Sequence, residues 1–430
     1  MPGDLLTAGF TQPFKKTYLI LSMIITSHSH FTFSHSNMAG DNKTSEGAWI
    51  EDEEGGALFP EPEGSPLFEG PDVMAPWEIA EMESAKKANA IVQDDTLDEP
   101  AKIDAIAAIR GWFHGPTEIV YAFLAGGMDA AEAAAKLVTP IDEMYTSADR
   151  GRAYYYSSGD IGFPPNIPKP PEGESDDESD FNSTECQLWE LWYGILHAAK
   201  RIPWADTAQH ERLISLVRAI KARPDPPPPS PMTKSLEASW IWNGGKLWSN
   251  LSLMGPSTRE MWNECCGCGS GWTVPEQHAW TNINAFVARL VSSGTSTGFE
   301  LYGSWALREA LEDRLKDKVL HVNAPAVVQA TVHITVASVW LRIAGRYMWS
   351  LRTEGGGIPP DLKVDLGLRE KKLPWYGYHR DVGEKRHCIA RWDFWKRRFE
   401  QERENIDLPE EVRELARGSA EIIKGFFEEL

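Results

Sequence analysis

Apolar residues recur along this chain at the spacing of helix faces, and two neighbouring stretches show the pattern most clearly. Leu188, Leu191, Trp192, Ile195 and Ala199 fall at i, i+3, i+4, i+7 and i+11, and Leu213, Leu216, Val217 and Ile220 repeat that spacing. Each stretch predicts a helix with one face to bury. Pro203 cannot continue the first helix, because it lacks an N–H and its ring clashes with the preceding turn. Asp206 is placed to cap the second helix, and Gln209 makes a capping-box-like pair with it. So short a connection predicts two helices packed antiparallel, with outer surface left for neighbours to cover.

The same reading extends over most of the chain. It predicts helices at Pro76 to Val92, Pro100 to Trp112, from Pro116, Asp129 to Leu137, Pro140 to Ala153, Pro256 to Cys265 and Pro275 to Leu290. Four more follow at Gly298 to Leu315, Ala324 to Leu351, Ile389 to Glu404 and Pro409 to Glu428. Asp98, Thr273 and Asp407 each stand just ahead of a proline in a first turn, where its missing N–H costs nothing, and Thr273 with Glu276 reads as a capping box. Strand signals are few. The expected fold is all-α, an irregular multi-helix bundle of antiparallel helix pairs forming a single domain over residues 73–430. Loops are expected at 157–183, 223–236 and 355–388. The second contains the Pro226 to Pro229 run, read as a stiff spacer in preference to a polyproline II ligand.

Composition adds a thick aromatic core and locates the charge. Eighteen Trp in 430 residues supply large rings that are most economically placed inside helical packing. The net charge of −20 is concentrated in two runs, roughly −9 over Asp41 to Asp72 and roughly −7 over Glu172 to Glu185. The remainder is near neutral, which argues against a broad basic surface for nucleic acid. Residues 1–72 form an acidic N-terminal segment, and from Ala39 to about Pro71 it is too rich in Gly, Pro, Glu and Asp to order itself, so it is expected to be disordered. Tyr18 to Ile25 is apolar but lacks the flanks of a signal peptide, and Met38 makes residues 1–37 read as an upstream extension or a mispredicted start. Val332 to Trp349 is apolar enough to suggest a membrane span, but Arg342 and Arg346 lie one turn apart within it, so no membrane is expected.

The five cysteines (Cys186, Cys265, Cys266, Cys268 and Cys388) suggest no disulfide framework and point to a reducing, intracellular compartment, cytoplasmic or nuclear. Cys265, Cys266 and Cys268 with His278 are the nearest approach to a metal site, with His387 and Cys388 as distant further ligands. Adjacent cysteines tend to point apart, so ordinary thiols in a Gly-rich loop are expected, with no metal and no cofactor. No G-x-S-x-G, P-loop, G-x-G-x-x-G or H-E-x-x-H is present, and no catalytic residue is singled out. Asn284 shares a face with Trp280, Val287 and Val291, while Arg308 lies among Leu301, Trp305 and Leu311, so Asn284, Arg308 and Glu309 are expected to form a buried network across two helices. In RWDFWKRRF, Trp392, Trp395 and Phe399 read as a core stripe, and Arg391, Lys396, Arg397 and Arg398 as a salt-laced solvent face.

The motifs LWELWYGILHAAKRIPW, LISLVRAIK, GPSTREMWNE, AWTNINAFVARL, SWALREALED and ARWDFWKRRF stand in an order that resembles a fungal family of helical proteins known as a domain of unknown function (DUF3632-like). The resemblance covers roughly residues 184–430. It implies a mostly helical intracellular protein and supplies no activity, cofactor or catalytic residue. The expected role is a noncatalytic protein-interaction module with an unknown protein partner. The alternative is a small-molecule binder or enzyme with a pocket between helices near Asn284 and Arg308.

Overall fold

The structure, a computed structural model, describes residues 76–146, 184–227, 246–296, 298–312, 324–352 and 387–430. The expectations for residues 1–72, for the loop at 157–183 and for most of those at 223–236 and 355–388 lie outside these residues. Twelve helices are described: α1 Pro76–Val92, α2 Glu99–Arg110, α3 Glu118–Leu124, α4 Ala130–Thr146, α5 Thr184–Arg201 and α6 Thr207–Lys221, then α7 Met254–Trp262, α8 Val274–Ser292, α9 Glu300–Leu311, α10 Ala326–Ser350, α11 Ile389–Glu402 and α12 Glu410–Glu428. No strand accompanies them among the described residues, only an isolated bridge between Cys266 and Ser270. The fold is all-α.

Two helices occupy the middle. Helix α8 is buried almost all round, from Ala279 to Val291, and packs on α2, α5, α6, α9 and α10. Helix α10 packs on α8, α9 and α12. It has the length and composition of a membrane-crossing helix, but Val332, Ile334, Val336, Ala337, Trp340, Leu341 and Met348 are buried within the protein. Arg346, on its outer side, makes a two-pronged bond with Glu429 at 2.9 and 2.6 Å.

Three expectations are corrected. The sequence reading ends one helix at Leu137 and starts another at Pro140, yet α4 runs unbroken through Pro140. Its apolar face, Ala133, Ala134, Leu137, Val138, Ile141 and Tyr145, continues across the proline. Burial of that face outweighs the ~3 kcal/mol that an interior proline costs. Second, α5 and α6 touch but do not make each other's main interface. Helix α5 lies chiefly on α7 and α8, and α6 on α4 and α8. The cause is in their connection: Asn282 Oδ1 accepts from Trp204 N at 2.7 Å and Arg289 Nη2 donates to Trp204 O at 3.0 Å, so α8 holds the turn itself. Third, Asp206 caps α6 by accepting from Gln209 N at 3.0 Å, but Gln209 Oε1 makes no return bond.

Candidate functional site

Three internal polar clusters are candidates for chemistry, and the largest is built where the chain leaves α2. Asp98 caps that helix through Ala101 N at 2.9 Å, and Gly111, with φ of 66°, turns the chain out of it. The segment from Trp112 to Thr117 then crosses α5 at very close range. A Cβ on Gly115 would collide with the Glu190 carbonyl, and one on Gly194 would come 2.8 Å from Pro116 O, so the approach requires glycine on both sides. Phe113 stacks on Tyr193 with ring centroids 4.5 Å apart, and Trp112 Nε1 donates to Gly269 O at 3.0 Å.

Beneath this crossing lies a buried ion pair. Lys200 Nζ, on α5, bonds Glu264 Oε2 just beyond α7, and the two residues are only 2% and 7% exposed. Glu264 Oε1 also accepts from Phe113 N at 2.6 Å, and Lys200 Nζ sits 4.2 Å above the Trp112 ring. Burial pushes the Glu264 carboxyl above its ordinary range, while Lys200 and Phe113 N work in the opposite direction. A second pair adjoins it. Arg110 Nε donates to Glu276 Oε1 at 2.7 Å and Arg110 Nη1 to Glu81 Oε1 at 2.7 Å. Glu276 further accepts from Gly271 N at 2.8 Å, Thr273 N at 2.9 Å and Thr273 Oγ1 at 2.7 Å, which realises the capping box read from the sequence. Burial opposes the Arg110 charge, but Glu276 and Glu81 outweigh it and raise its pKa.

At the outer edge of this cluster, His197 Nε2 lies 3.0 Å from Asp104 Oδ1, and Arg201 Nε lies 3.2 Å from the same oxygen. Burial lowers the His197 pKa against the pull of Asp104. The imidazole is therefore neutral near pH 7, with Nδ1 buried and unbonded. A carboxylate-oriented neutral imidazole is the acid–base unit of many enzymes, but it requires a reacting group within reach of its second nitrogen.

The second cluster joins the central helices. Asn284 is fully buried, donates to Trp280 O at 2.9 Å and accepts from Trp340 Nε1 at 2.8 Å. The expected partners Arg308 and Glu309 are instead half-buried on α9, where Glu309 lies 3.8 Å from His333. The packing explains the difference: the tryptophan ring of α10 fills the space above Asn284, and Gly303 of α9 closes against it, since a Cβ there would come 2.7 Å from Trp340. One residue on, Ser304 Oγ lies 2.8 Å from His387 Nε2 and 3.2 Å from Glu300 O.

The third cluster corrects the reading of RWDFWKRRF. Lys396 and Arg397 do pair with Asp393 at the surface, but Arg391 and Arg398 are buried. Glu312 accepts from Arg391 Nε and Nη2 at 2.7 and 2.8 Å and from Trp395 Nε1 at 2.7 Å, and Arg398 Nε donates to Leu311 O at 3.2 Å. These bonds close the C-terminal end of α9 with side chains from α11, supplying partners that its last turn lacks.

The cysteines divide between two surroundings. Cys266 is surrounded by Glu276, Arg110 and Lys200, and burial raises its thiol far above the ordinary range. Cys265 adjoins Cys268, whereas His278 turns away to Glu99 Oε1 at 2.6 Å. Among the described residues no three His, Cys, Asp or Glu side chains gather as metal ligands. Lys200, Glu264, His197, Asp104, Ser304 and Glu312 were not foreseen as site residues. The one available signal was a charged or polar residue interrupting an apolar helix face, and it named no partner.

Comparison with known proteins finds a likeness over part of the chain. No curated protein and no solved structure matches the chain. Residues 192–399, a little under half of the chain, match the family described as "Protein of unknown function (DUF3632)", to which the chain is similar, and this stretch contains the Lys200–Glu264, Asn284–Trp340 and Glu312–Arg391 contacts.

Proposed function

We propose that the protein is a noncatalytic interaction module that works inside the cell and binds another protein. The observation that carries this reading is where buried charge is spent. Lys200, Glu264, Arg110, Glu276, Arg391 and Glu312 are each bonded to an opposite charge from a distant part of the chain. Such pairs fix one arrangement of helices and leave little ionic capacity for a substrate. A contact surface is available on α1, which packs on α2 and leaves Ile79 and Met82, one helical turn apart, each 47% exposed. All five cysteines are free thiols, in keeping with a reducing compartment.

The test is native mass spectrometry of protein purified gently from its own cells, repeated with an Ile79→Glu, Met82→Glu double variant of unchanged thermal midpoint. The expected result is a stoichiometric protein partner that the variant loses. A stoichiometric small molecule or metal in place of a protein would overturn the reading. An enzymatic role has one specific observation in its favour, the Ser304–His387 contact one turn before Arg308. Covalent labelling of Ser304 by a fluorophosphonate, abolished by His387→Gln, would establish it in preference.

A further inference from the structure

Cys265 and Cys268 are separated by two residues and stand across one tight turn. Cys268 N donates to Cys265 O at 3.0 Å, which closes a four-residue turn, and Gly267 in its third position has φ of 81°. That is the conformation a type II turn reserves for glycine. Trp272 also packs against Gly267, so that a Cβ there would come 2.8 Å from the indole. The turn is held from both sides. Gly267 N donates to Ser270 O at 2.8 Å, Ser270 N to Cys265 O at 3.2 Å, Gly269 N to Asn263 O at 2.8 Å and Ser270 Oγ to Glu264 O at 2.6 Å.

A turn of this kind brings its end Cα atoms within ~7 Å. A disulfide needs about 4.4–6.8 Å. The two thiols act on each other, since Cys268 is the first cause that pushes the Cys265 thiol above its ordinary range. They also differ in access. Cys268 is exposed, whereas Cys265 is half-buried, and Cys268 and burial together raise its thiol above the ordinary range. Cys266, between them in sequence, is instead surrounded by Arg110, Glu276 and Lys200.

We propose that Cys265 and Cys268 form a redox modification site, which hydrogen peroxide closes into a reversible intramolecular disulfide. The thiolate of Cys268 attacks one oxygen of the peroxide, the O–O bond breaks, and hydroxide leaves and is protonated to water, giving a sulfenic acid. Cys265 sulfur then attacks the Cys268 sulfur. The S–S bond forms as the S–O bond breaks, and the departing hydroxide takes the Cys265 proton as a second water. Two thiols lose two electrons, and one peroxide becomes two waters. A dithiol reverses the reaction by exchange.

The disulfide would lock the segment that carries Glu264 to Lys200 and Gly269 to Trp112. It is therefore placed to report oxidising conditions on the largest polar cluster of the fold.

The full-length protein is treated with hydrogen peroxide, alkylated and digested for peptide mass analysis. The expected product is a Cys265–Cys268 linked peptide lighter by two hydrogens, lost in Cys268→Ser and in Cys265→Ser, kept in Cys266→Ser and Cys388→Ser, and removed by dithiothreitol. Cys268→Ser changes only an exposed side chain, so its folding is secure even if Cys265→Ser is destabilised. A link through Cys266, a link between two chains, or overoxidation of Cys268 with no link would each overturn the proposal.

Discussion

Around Lys200 the helices are joined by charges and backbone amides, whereas around Trp392 they are joined by rings. In the first region one buried carboxylate, Glu264, takes the Lys200 ammonium and the Phe113 amide, and another, Glu276, takes Arg110, Gly271 and Thr273. In the second, Trp392 lies edge-on to Trp349, Trp395 and Phe426 at centroid separations of 5.4, 5.1 and 5.9 Å, and Trp349 stacks on Phe426 at 5.5 Å. The difference lies in what each region tolerates. Rings lose energy in proportion to the volume removed. A charge cluster fails when one member is removed, because its partner remains buried and unpaired.

The largest expected effect tests that intolerance directly. Lys200→Met should destabilise by about 3–5 kcal/mol, because Glu264 keeps its carboxylate in a dry site. The double variant Lys200→Met, Glu264→Gln should recover most of the loss, since it removes both charges and retains the oxygen that accepts from Phe113 N. Chemical denaturation of both single variants and the double gives the coupling. Losses that simply add would show that the pair does not act as a unit.

A pH titration tests a further buried group next. His210 is fully buried on α6, and burial, with the Arg289 charge beside it, pushes its pKa down to about 3. The unfolded chain binds the proton from about pH 6.5, so stability is full above that value and falls as the pH drops toward 3. By pH 5 this one group should cost about 2 kcal/mol. Thermal midpoints at pH 7 and pH 5 should converge in His210→Phe relative to the parent, and an unchanged gap would remove His210 as the source.

How much was legible in the sequence follows the same division. The Trp392, Trp395 and Phe399 stripe could be read because helix periodicity places it on one face, and all three residues are buried. Arg391 and Arg398 could not be assigned, because the same periodicity cannot tell a solvated charge from one that meets Glu312 or Leu311 O far along the chain. Lys200 and Glu264 are separated by 64 positions and Arg110 and Glu276 by 166. Asn284 reads as a polar residue needing a partner, but the partner is the Trp340 indole, whose apolar bulk reads only as core. The capping box at Thr273 was legible because both halves lie within one turn.

Within the aromatic region, two neighbouring tryptophans sharpen the contrast. Trp395 Nε1 donates to Glu312, whereas Trp392 Nε1 has no partner. Replacing each by phenylalanine removes similar volume, so the difference between the two costs isolates the bond. Trp395→Phe should exceed Trp392→Phe by about 1.5–3 kcal/mol, the range for hydrogen bonds to charged groups. Equal midpoints in guanidinium would mean that Arg391 alone satisfies Glu312.

The smallest effect tests two helix starts that the sequence presents alike. Asp98 and Asp407 each stand two residues ahead of a proline, α2 entering the polar region and α12 the aromatic one. Only Asp98 caps, through Ala101 N, while α12 opens on Pro409, whose carbonyl accepts from Val412 N at 3.0 Å and Arg413 N at 3.1 Å. Asp98→Ala should therefore cost about 1 kcal/mol. Asp407→Ala should fall within the ~0.5 kcal/mol typical of surface changes. Helix α12 can dispense with the cap because its buried residues Val412, Ala416, Ile423 and Phe426 hold it against α10 and α11. Helix α2 buries only Ile103, Ile106 and Ala107, so local hydrogen bonds carry a larger share of its placement. Equal losses in thermal unfolding would refute that distinction and assign α12 a dependence on local capping that its packing does not require.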